Sequence, residues 1–265
     1  MEFQKLRIIS TTRIGSQYVK LTLACGAAYA EAAPGRFVMV RIPGNIDPLL
    51  SRPFSIHDIH VSESGPCALD ILFKIIGKGT EKLARLKTGD RLEVLGPLGK
   101  GFTIPDSAST VYAAAGGIGI APIPFLVKHL STSGISKNGI VVFAGAGTKE
   151  DILCLETLSQ MASHVHVTTD DGSFGEKGLV TGRLEKAVKT QPPDMVYACG
   201  PLDMLKTVAR IASKYRVNGQ ISLEAMMACG LGACLGCAVK NSKHPDSYAR
   251  VCVDGPVFDL SDFGF

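Results

Sequence analysis

The chain has 265 residues, more than one ordinary domain of roughly 100–200 residues requires; with 46% hydrophobic and 20% charged residues it can build packed cores and is not a disordered chain. A net charge of +4, from 28 basic and 24 acidic residues with no run of three Lys or Arg, gives no electrostatic footprint for nucleic acid. The longest uncharged stretch, 107–127, holds three glycines and two prolines, so it reads as linker, buried strand and loop rather than a membrane span.

The first ten residues lack both an apolar core and a small-residue cleavage site, so the expected location is cytoplasmic. Next come short strands separated by turns. Residues 37–42 close on Pro43-Gly44, 69–74 alternate before Gly77, and 91–95 follow the turn 87–90, a spacing that predicts a small barrel or sandwich. Arg52-Pro53-Phe54-Ser55 places a guanidinium fork, an aromatic ring and a hydroxyl on one edge. Such groups suit a diphosphate and a flavin ring, and equally an ordinary turn with a core phenylalanine. Gly77-Lys78-Gly79-Thr80 precedes a helical stretch at 81–86 and offers either a phosphate-holding helix start or a plain turn capped by Thr80.

Beyond 103–109, with Ser107-Ala108-Ser109 read as the linker, the pattern changes. Apolar runs at 111–115, 140–145, 164–169 and 195–200 alternate with helical stretches at 123–130, 150–161, 184–188 and 202–214, the signature of a parallel sheet with crossover helices. Gly116-Gly117-Ile118-Gly119-Ile120-Ala121-Pro122 follows the first of these strands, where a nucleotide belongs, although the full dinucleotide fingerprint is missing. Cys199-Gly200-Pro201 closes the fourth strand at the ligand-binding edge; taken alone, Cys199 reads as a small buried hydrophobe. Asp170-Asp171-Gly172-Ser173 ends the third strand and reads as an acidic turn. A last short strand at 220–223 leads into a Gly- and Cys-rich tail with too little apolar periodicity to form a core without a staple. The expected division is 1–104, 105–219 and 220–265.

Of the eight cysteines, Cys25, Cys67, Cys154 and Cys199 are scattered, whereas Cys229, Cys234, Cys237 and Cys252 crowd the tail. Their C-x4-C-x2-C spacing, followed after fourteen residues by the fourth, is the plant-type [2Fe–2S] pattern. Gly230, Gly232, Ala233 and Gly236 let the loop curl tightly and leave N–H groups free for sulfur. A four-cysteine zinc site usually uses two C-x2-C pairs, and disulfides conflict with a cytoplasmic location.

Taken in order, the segments beginning at Arg52, Gly77, Gly96, Gly116, Thr169, Cys199 and Cys229, the last running on to Asp254-Gly255-Pro256-Val257-Phe258, resemble the ferredoxin-reductase superfamily. Within it they resemble the electron-transfer subunits of class 1B dihydroorotate dehydrogenases. The resemblance implies an N-terminal antiparallel β-barrel carrying FAD, a central Rossmann-like parallel sheet binding NAD, and a small C-terminal [2Fe–2S] module. By the same resemblance Arg52 binds the FAD diphosphate, and Phe54, beside Pro53, packs on the flavin where relatives often have tyrosine. Ser55 contacts the ring system, and Leu72, Phe73, Lys74, Gly79 and Thr80 complete that site. Gly116, Gly117 and Gly119, with Cys199, Gly200 and Pro201, position the nicotinamide nucleotide. Cys229, Cys234, Cys237 and Cys252 hold the cluster.

The implied partner is a catalytic FMN-containing dihydroorotate dehydrogenase subunit, two of each chain forming a heterotetramer, with Leu231 and Leu235 as candidates for the contact unless they are buried in their own module. Electrons from dihydroorotate would cross the cluster here to FAD and on to NAD⁺, a flavin standing between one- and two-electron carriers. The loop 145–150 has no arginine to fork a 2′-phosphate, only Lys149, which favours NAD. The rival within the superfamily is a flavin and iron–sulfur subunit of a ferredoxin:NADP⁺ oxidoreductase or a sulfhydrogenase; the former typically has aspartate where this chain has Cys229. Outside it stand a four-cysteine zinc module that binds nucleotide without catalysis and a stand-alone flavin reductase.

Overall fold

The computed structural model describes residues 1–44, 46–61, 67–106, 108–240 and 247–262. Strands β1 (Glu2–Ile14), β2 (Tyr18–Cys25), β3 (Phe37–Arg41), β4 (Arg52–Val61), β5 (Cys67–Lys74) and β6 (Arg91–Leu98) close an antiparallel barrel in the order β1-β2-β5-β4-β3-β6. Alternation sets the inside. Val19, Leu21 and Leu23 on β2 and Leu69, Ile71 and Phe73 on β5 are buried, and they fill the barrel with Ile8, Ile56, Leu92 and Val94. The six-residue helix α1 (Lys78–Leu83) follows β5.

Strands β7 (Val111–Gly116), β8 (Ile140–Ala146), β9 (His164–Thr169), β10 (Glu176–Lys177), β11 (Met195–Cys199) and β12 (Asn218–Ser222) form a parallel sheet in the order β10-β9-β8-β7-β11-β12. The helices between them are α2 (Ile123–Thr132), α3 (Leu155–Met161), α4 (Val180–Thr190) and α5 (Leu202–Tyr215). β7 and β11 are buried almost throughout, as expected of strands covered on both faces. The chain steps from β7 outward through β8 and β9, then returns to β11 on the other side of β7. The crevice outside the carboxyl ends of β7 and β11 is therefore the topological switch point where such sheets bind ligands.

Three expectations need correction. The helical stretch at 150–161 is broken: Lys149–Asp151 is a 3₁₀ turn, and α3 starts only after Cys154, which sits at φ 59°. Gly77, not Thr80, is the N-cap of α1; Thr80 lies in the first turn and accepts hydrogen bonds from the Ile76 and Gly77 N–H groups at 2.9 and 3.2 Å. The tail does enter a core. Its strands β13 (Ala238–Lys240) and β14 (Tyr248–Arg250) form a hairpin, and β15 (Val257–Asp259) extends the parallel sheet as an antiparallel edge beside β12. Cys237, Ala249, Val251, Cys252, Phe258 and Leu260 join a cluster shared with Phe37, Met39 and Leu98 of the barrel and Val208 and Ile211 of α5.

The boundary expected at 219/220 falls inside β12, and Ser107 of the expected linker lies outside the described residues. Ser109, two residues on, donates from N–H and Oγ to Asp194 at 2.8 and 3.0 Å. Cys25 and Cys67, scattered in sequence, are register partners on β2 and β5 with sulfurs 2.7 Å apart.

Candidate functional site

A cleft with about 260 Å³ of free space opens between the barrel and the carboxyl edge of the sheet. One wall comes from β4 and β5, with Pro53, Phe54, Ser55, Leu72, Phe73 and Lys74, and Thr80 of α1 adjoins it. The other holds Ile118 and Ala121 of the turn after β7, Cys199 at the end of β11, and Ser222, Leu223, Glu224, Ala225 and Met227 after β12. The Phe54 ring is tilted 41° to Phe73 at 5.2 Å between centroids, presenting a flat apolar surface to the cleft.

Arg52 lies one step away, in a small recess with Val40, Leu50, Gly79 and Leu83. Its guanidinium donates to the Leu50 carbonyl at 2.5 Å and rests on Gly79, where an added Cβ would stand 2.9 Å from Nε. Thr80, Arg52 and the start of α1 thus cluster at the end of the cleft.

Across the cleft, Gly119 packs on the strand end itself: a Cβ there would come within 2.4 Å of the Cys199 carbonyl oxygen. Gly116 faces Pro201 and Met204 of α5, and Gly117, at φ +54°, points a vacant position into open space. The turn 117–121 and Cys199-Gly200-Pro201 therefore form one surface at the switch point. Burial, and next the charge of Glu224, push the Cys199 thiol up to about 12 against a hydrogen bond from Ser222, so it stays protonated. Glu224 keeps contact with solvent, yet the protein packed around its carboxyl raises it above the usual carboxylate range.

The barrel and sheet are tied beside this cleft. His57 Nδ1 lies 2.5 Å from the Ala121 carbonyl, and burial holds the imidazole below its usual range, so the neutral ring donates this hydrogen bond. Lys128 of α2 donates to Asp58 Oδ1 at 2.8 Å and to the Ile59 carbonyl at 3.0 Å. Lys74 and Tyr18 both reach Asp151 in the turn after β8.

From Met227 on the cleft wall the chain runs directly into the cysteine loop. Gly230 (φ +70°) packs on Met39, where a Cβ would lie 2.6 Å from Cγ, and Met39 is the register partner of Pro53. The loop therefore sits one strand behind the Phe54 wall. Its sulfurs form two pairs. Cys237 and Cys252 are 3.2 Å apart and buried, while Cys229 has the Cys234 side chain as a hydrogen-bond neighbour.

Backbone N–H groups turn toward these sulfurs: Leu231 to Cys229 at 3.4 Å, Gly232 to Cys252 at 3.2 Å and Cys252 to Cys237 at 3.5 Å. The Leu231 N–H, with that of Cys234, brings the Cys229 thiol down to about 6. Among the described residues, no three or more His, Cys, Asp or Glu side chains are grouped so as to hold a metal ion. Four cysteine sulfurs in two pairs, with backbone N–H groups turned toward them, supply the Cys₄ donor set that a [2Fe–2S] cluster would need. Arg250 pins the far side through Asp254, with Nε–Oδ2 at 3.2 Å. Cys234 is exposed, as are Leu231 and Leu235, so the two leucines are not buried within their own module.

The sequence motifs carried Arg52 to Ser55, the glycine turn and the cysteines. They did not carry Glu224, Met227, Tyr18, His57 or Asp151, none of which stands in a recognisable spacing.

Residues 5–102 match a family model described as an oxidoreductase FAD-binding domain, 114–210 an oxidoreductase NAD-binding domain, and 224–264 an iron–sulfur cluster binding domain of dihydroorotate dehydrogenase B. Two relatives are the dihydroorotate dehydrogenase B (NAD(+)) electron transfer subunits of Desulforamulus reducens and Caldanaerobacter subterraneus subsp. tengcongensis. The first is 45% identical over 86% of this chain and 85% of that protein, the second 39% over 96% and 95%. Among solved structures, an NADH-dependent reduced ferredoxin-NADP oxidoreductase aligns with a TM-score of 0.85 at 30% identity, over 97% of this chain and 88% of that one. The cytochrome b5 reductase domain of Ulva prolifera nitrate reductase shares the fold alone, at TM-score 0.65 and 18% identity. The chain belongs to the family of dihydroorotate dehydrogenase B (NAD(+)) electron transfer subunits.

Proposed function

We propose that the chain relays electrons between a separate dihydroorotate-oxidising subunit and NAD⁺, serving pyrimidine biosynthesis in the cytoplasm. One observation carries this reading. The wall bearing Phe54 and the nucleotide edge bearing Cys199 face one cleft, and the cysteine loop starts two residues beyond Met227 on its lining and packs through Gly230 on Met39, the register partner of Pro53. When bound, FAD exchanges electron pairs with a nicotinamide and single electrons with a [2Fe–2S] cluster.

In this reading Arg52, braced on Gly79, holds the diphosphate of FAD at the recess beside α1. Phe54 covers one face of the ring system, Ser55 hydrogen-bonds its edge, and Leu72, Phe73, Lys74 and Thr80 shape the rest. The turn from Gly116 to Pro122 and the edge at Cys199, Gly200 and Pro201 receive the nicotinamide nucleotide. Cys199, protonated, offers a neutral packing surface there. Cys229, Cys234, Cys237 and Cys252 hold the cluster, and their N–H donors stabilise charge on the sulfurs. The division into 1–104, 105–219 and 220–265 is part of the same reading, with the middle and last units sharing β12.

The partner is an FMN-containing catalytic subunit, two copies of each forming a heterotetramer. Leu231 and Leu235, exposed in the loop that carries Cys234, fit an apolar contact with it. Among the described residues no helix is long and apolar enough to cross a membrane.

The test is direct. Purified protein is expected to be yellow-brown, to contain iron and no zinc, and to reduce a dye with NADH; orotate should form only when the second subunit is added. Cys234→Ser loses the iron–sulfur absorbance and keeps FAD. A colourless or zinc-loaded protein, or orotate formation by this chain alone, overturns the proposal.

A further inference from the structure

Tyr18 and Lys74 are direct register partners on β2 and β5, and their side chains converge on one acceptor from the other half of the molecule. The Asp151 carboxylate accepts the Tyr18 hydroxyl at 2.5 Å and the Lys74 ammonium at 3.0 Å, both on Oδ1. Its second oxygen lies 3.4 Å from Thr148 Oγ1. Lys74 also sits 5.2 Å over the Tyr18 ring. The node is built on both sides. Lys74 is part of the cleft wall with Phe54 and Ser55, whereas Asp151 lines the space beside Gly117 and Gly145, at the carboxyl ends of β7 and β8.

The Lys74–Asp151 ion pair is partly open to solvent and by itself adds little stability. Its position is what distinguishes it: a single carboxylate fixes the height of the β8 loop above the barrel, at the junction of the two candidate ligand sites. Lys74 also neutralises a negative charge that would otherwise face an anionic dinucleotide. We propose that Asp151 is a positioning residue, which through Tyr18 and Lys74 sets the nicotinamide nucleotide at working distance over the flavin. This rests on the proposed function.

The experiment uses the full, FAD-loaded chain with Asp151→Asn, Asp151→Glu and Tyr18→Phe. Three quantities are read: flavin content, the dissociation constant of ADP-ribose by calorimetry, and the rate of flavin reduction by NADH. Asp151→Asn keeps the side-chain shape and removes the charge. Its expected signature is normal flavin content, ADP-ribose affinity within about twofold of wild type, and reduction slowed about tenfold or more, because small misplacements at a reacting centre are costly. Asp151→Glu recovers part of the rate. Faster amide hydrogen exchange at 147–153 in Asp151→Asn marks the released loop.

Should Asp151→Asn not fold, Tyr18→Phe, which preserves the packed ring, must still slow reduction. Wild-type reduction rates in the folded variants overturn the inference. So does a loss confined to ADP-ribose affinity, which would make Asp151 a binding residue. A wild-type chain that binds no FAD, or whose FAD NADH does not reduce, defeats the functional reading itself and is distinguishable from either result.

Discussion

Gly119→Ala tests the contact on which the nucleotide edge depends. The added methyl would lie 2.4 Å from the Cys199 carbonyl oxygen, 2.6 Å from its carbon and 2.7 Å from Gly200 Cα. All three are backbone atoms, and β11 is hydrogen-bonded to β7 on one side and β12 on the other, so the strand does not yield. The turn 117–120 must instead retreat by about 1 Å to reach ordinary contact distance. Overpacking of this kind costs about 1–3 kcal/mol, which for a chain of this size lowers the melting temperature by roughly 2–12 °C. The same displacement separates the turn from Cys199-Gly200-Pro201 and is expected to slow flavin reduction by NADH about 100-fold. FAD and iron contents should match wild type, since Arg52, Phe54 and the cysteines lie on other elements.

Gly117→Ala supplies the control for the melting temperature alone, because its turn is also proposed to receive the nucleotide. That residue has φ +54° and nothing within 4 Å of the new methyl, so it carries only backbone strain of about 1–2 kcal/mol and no enforced retreat. Thermal melts, flavin and iron analysis and stopped-flow reduction of both variants decide the matter. A Gly119→Ala protein that melts and turns over like wild type would refute the reasoning. An equal fall in melting temperature in Gly117→Ala would refute it too, because the cause would then be turn conformation rather than contact with Cys199.

Two further expectations concern the barrel. Arg52→Ala should lose FAD on gel filtration, and Gly79→Ala, which displaces the flexible guanidinium from 2.9 Å, should lose less of it; full flavin retention by both would remove Arg52 from the diphosphate site. Burial depresses the His57 pKa in the folded chain, so between its ordinary value of about 6.5 and the lower folded value the unfolded chain binds the extra proton. Stability from His57 is therefore complete above that ordinary value and declines as pH falls through the window. Melting temperatures of wild type and His57→Gln at acidic and neutral pH should converge in acid; parallel curves would sink the assignment.

The central strands were legible because both of their faces are covered. Runs such as Val111 to Ala115 and Met195 to Cys199 are apolar without interruption, and the sheet places them side by side. β4 gave no such run. Several of its residues are only half-buried, and His57 and Asp58 spend their side chains on Ala121 and Lys128, polar contacts that no period reveals. The helix expected at 150–161 failed for a related reason. Asp151 is drawn to Tyr18 and Lys74 while Leu153 is buried, and the chain turns at Cys154 before α3 can begin. The cysteines were readable because three of them recur at close intervals within one loop, the spacing that cluster ligation would impose. Asp151, Glu224 and His57 answer to neighbours distant in sequence.

The tail shows what that difference means for the proposed relay. Its weak periodicity suggested a module that needs a metal staple, yet its apolar residues find partners on older parts of the chain. Phe258 and Leu260 enter the sheet core, β15 pairs with β12, and Gly99 lies so close to Gly255 and Pro256 that a Cβ would stand 2.6 Å from each. Gly230 meets Met39 in the same manner. The cysteine loop is therefore anchored to both barrel and sheet by contacts independent of any metal. Electron exchange falls steeply with separation, so a relay benefits when its centres cannot drift. Anchoring also leaves Cys234 and its flanking leucines free to face outward, because the loop does not need them for its own core.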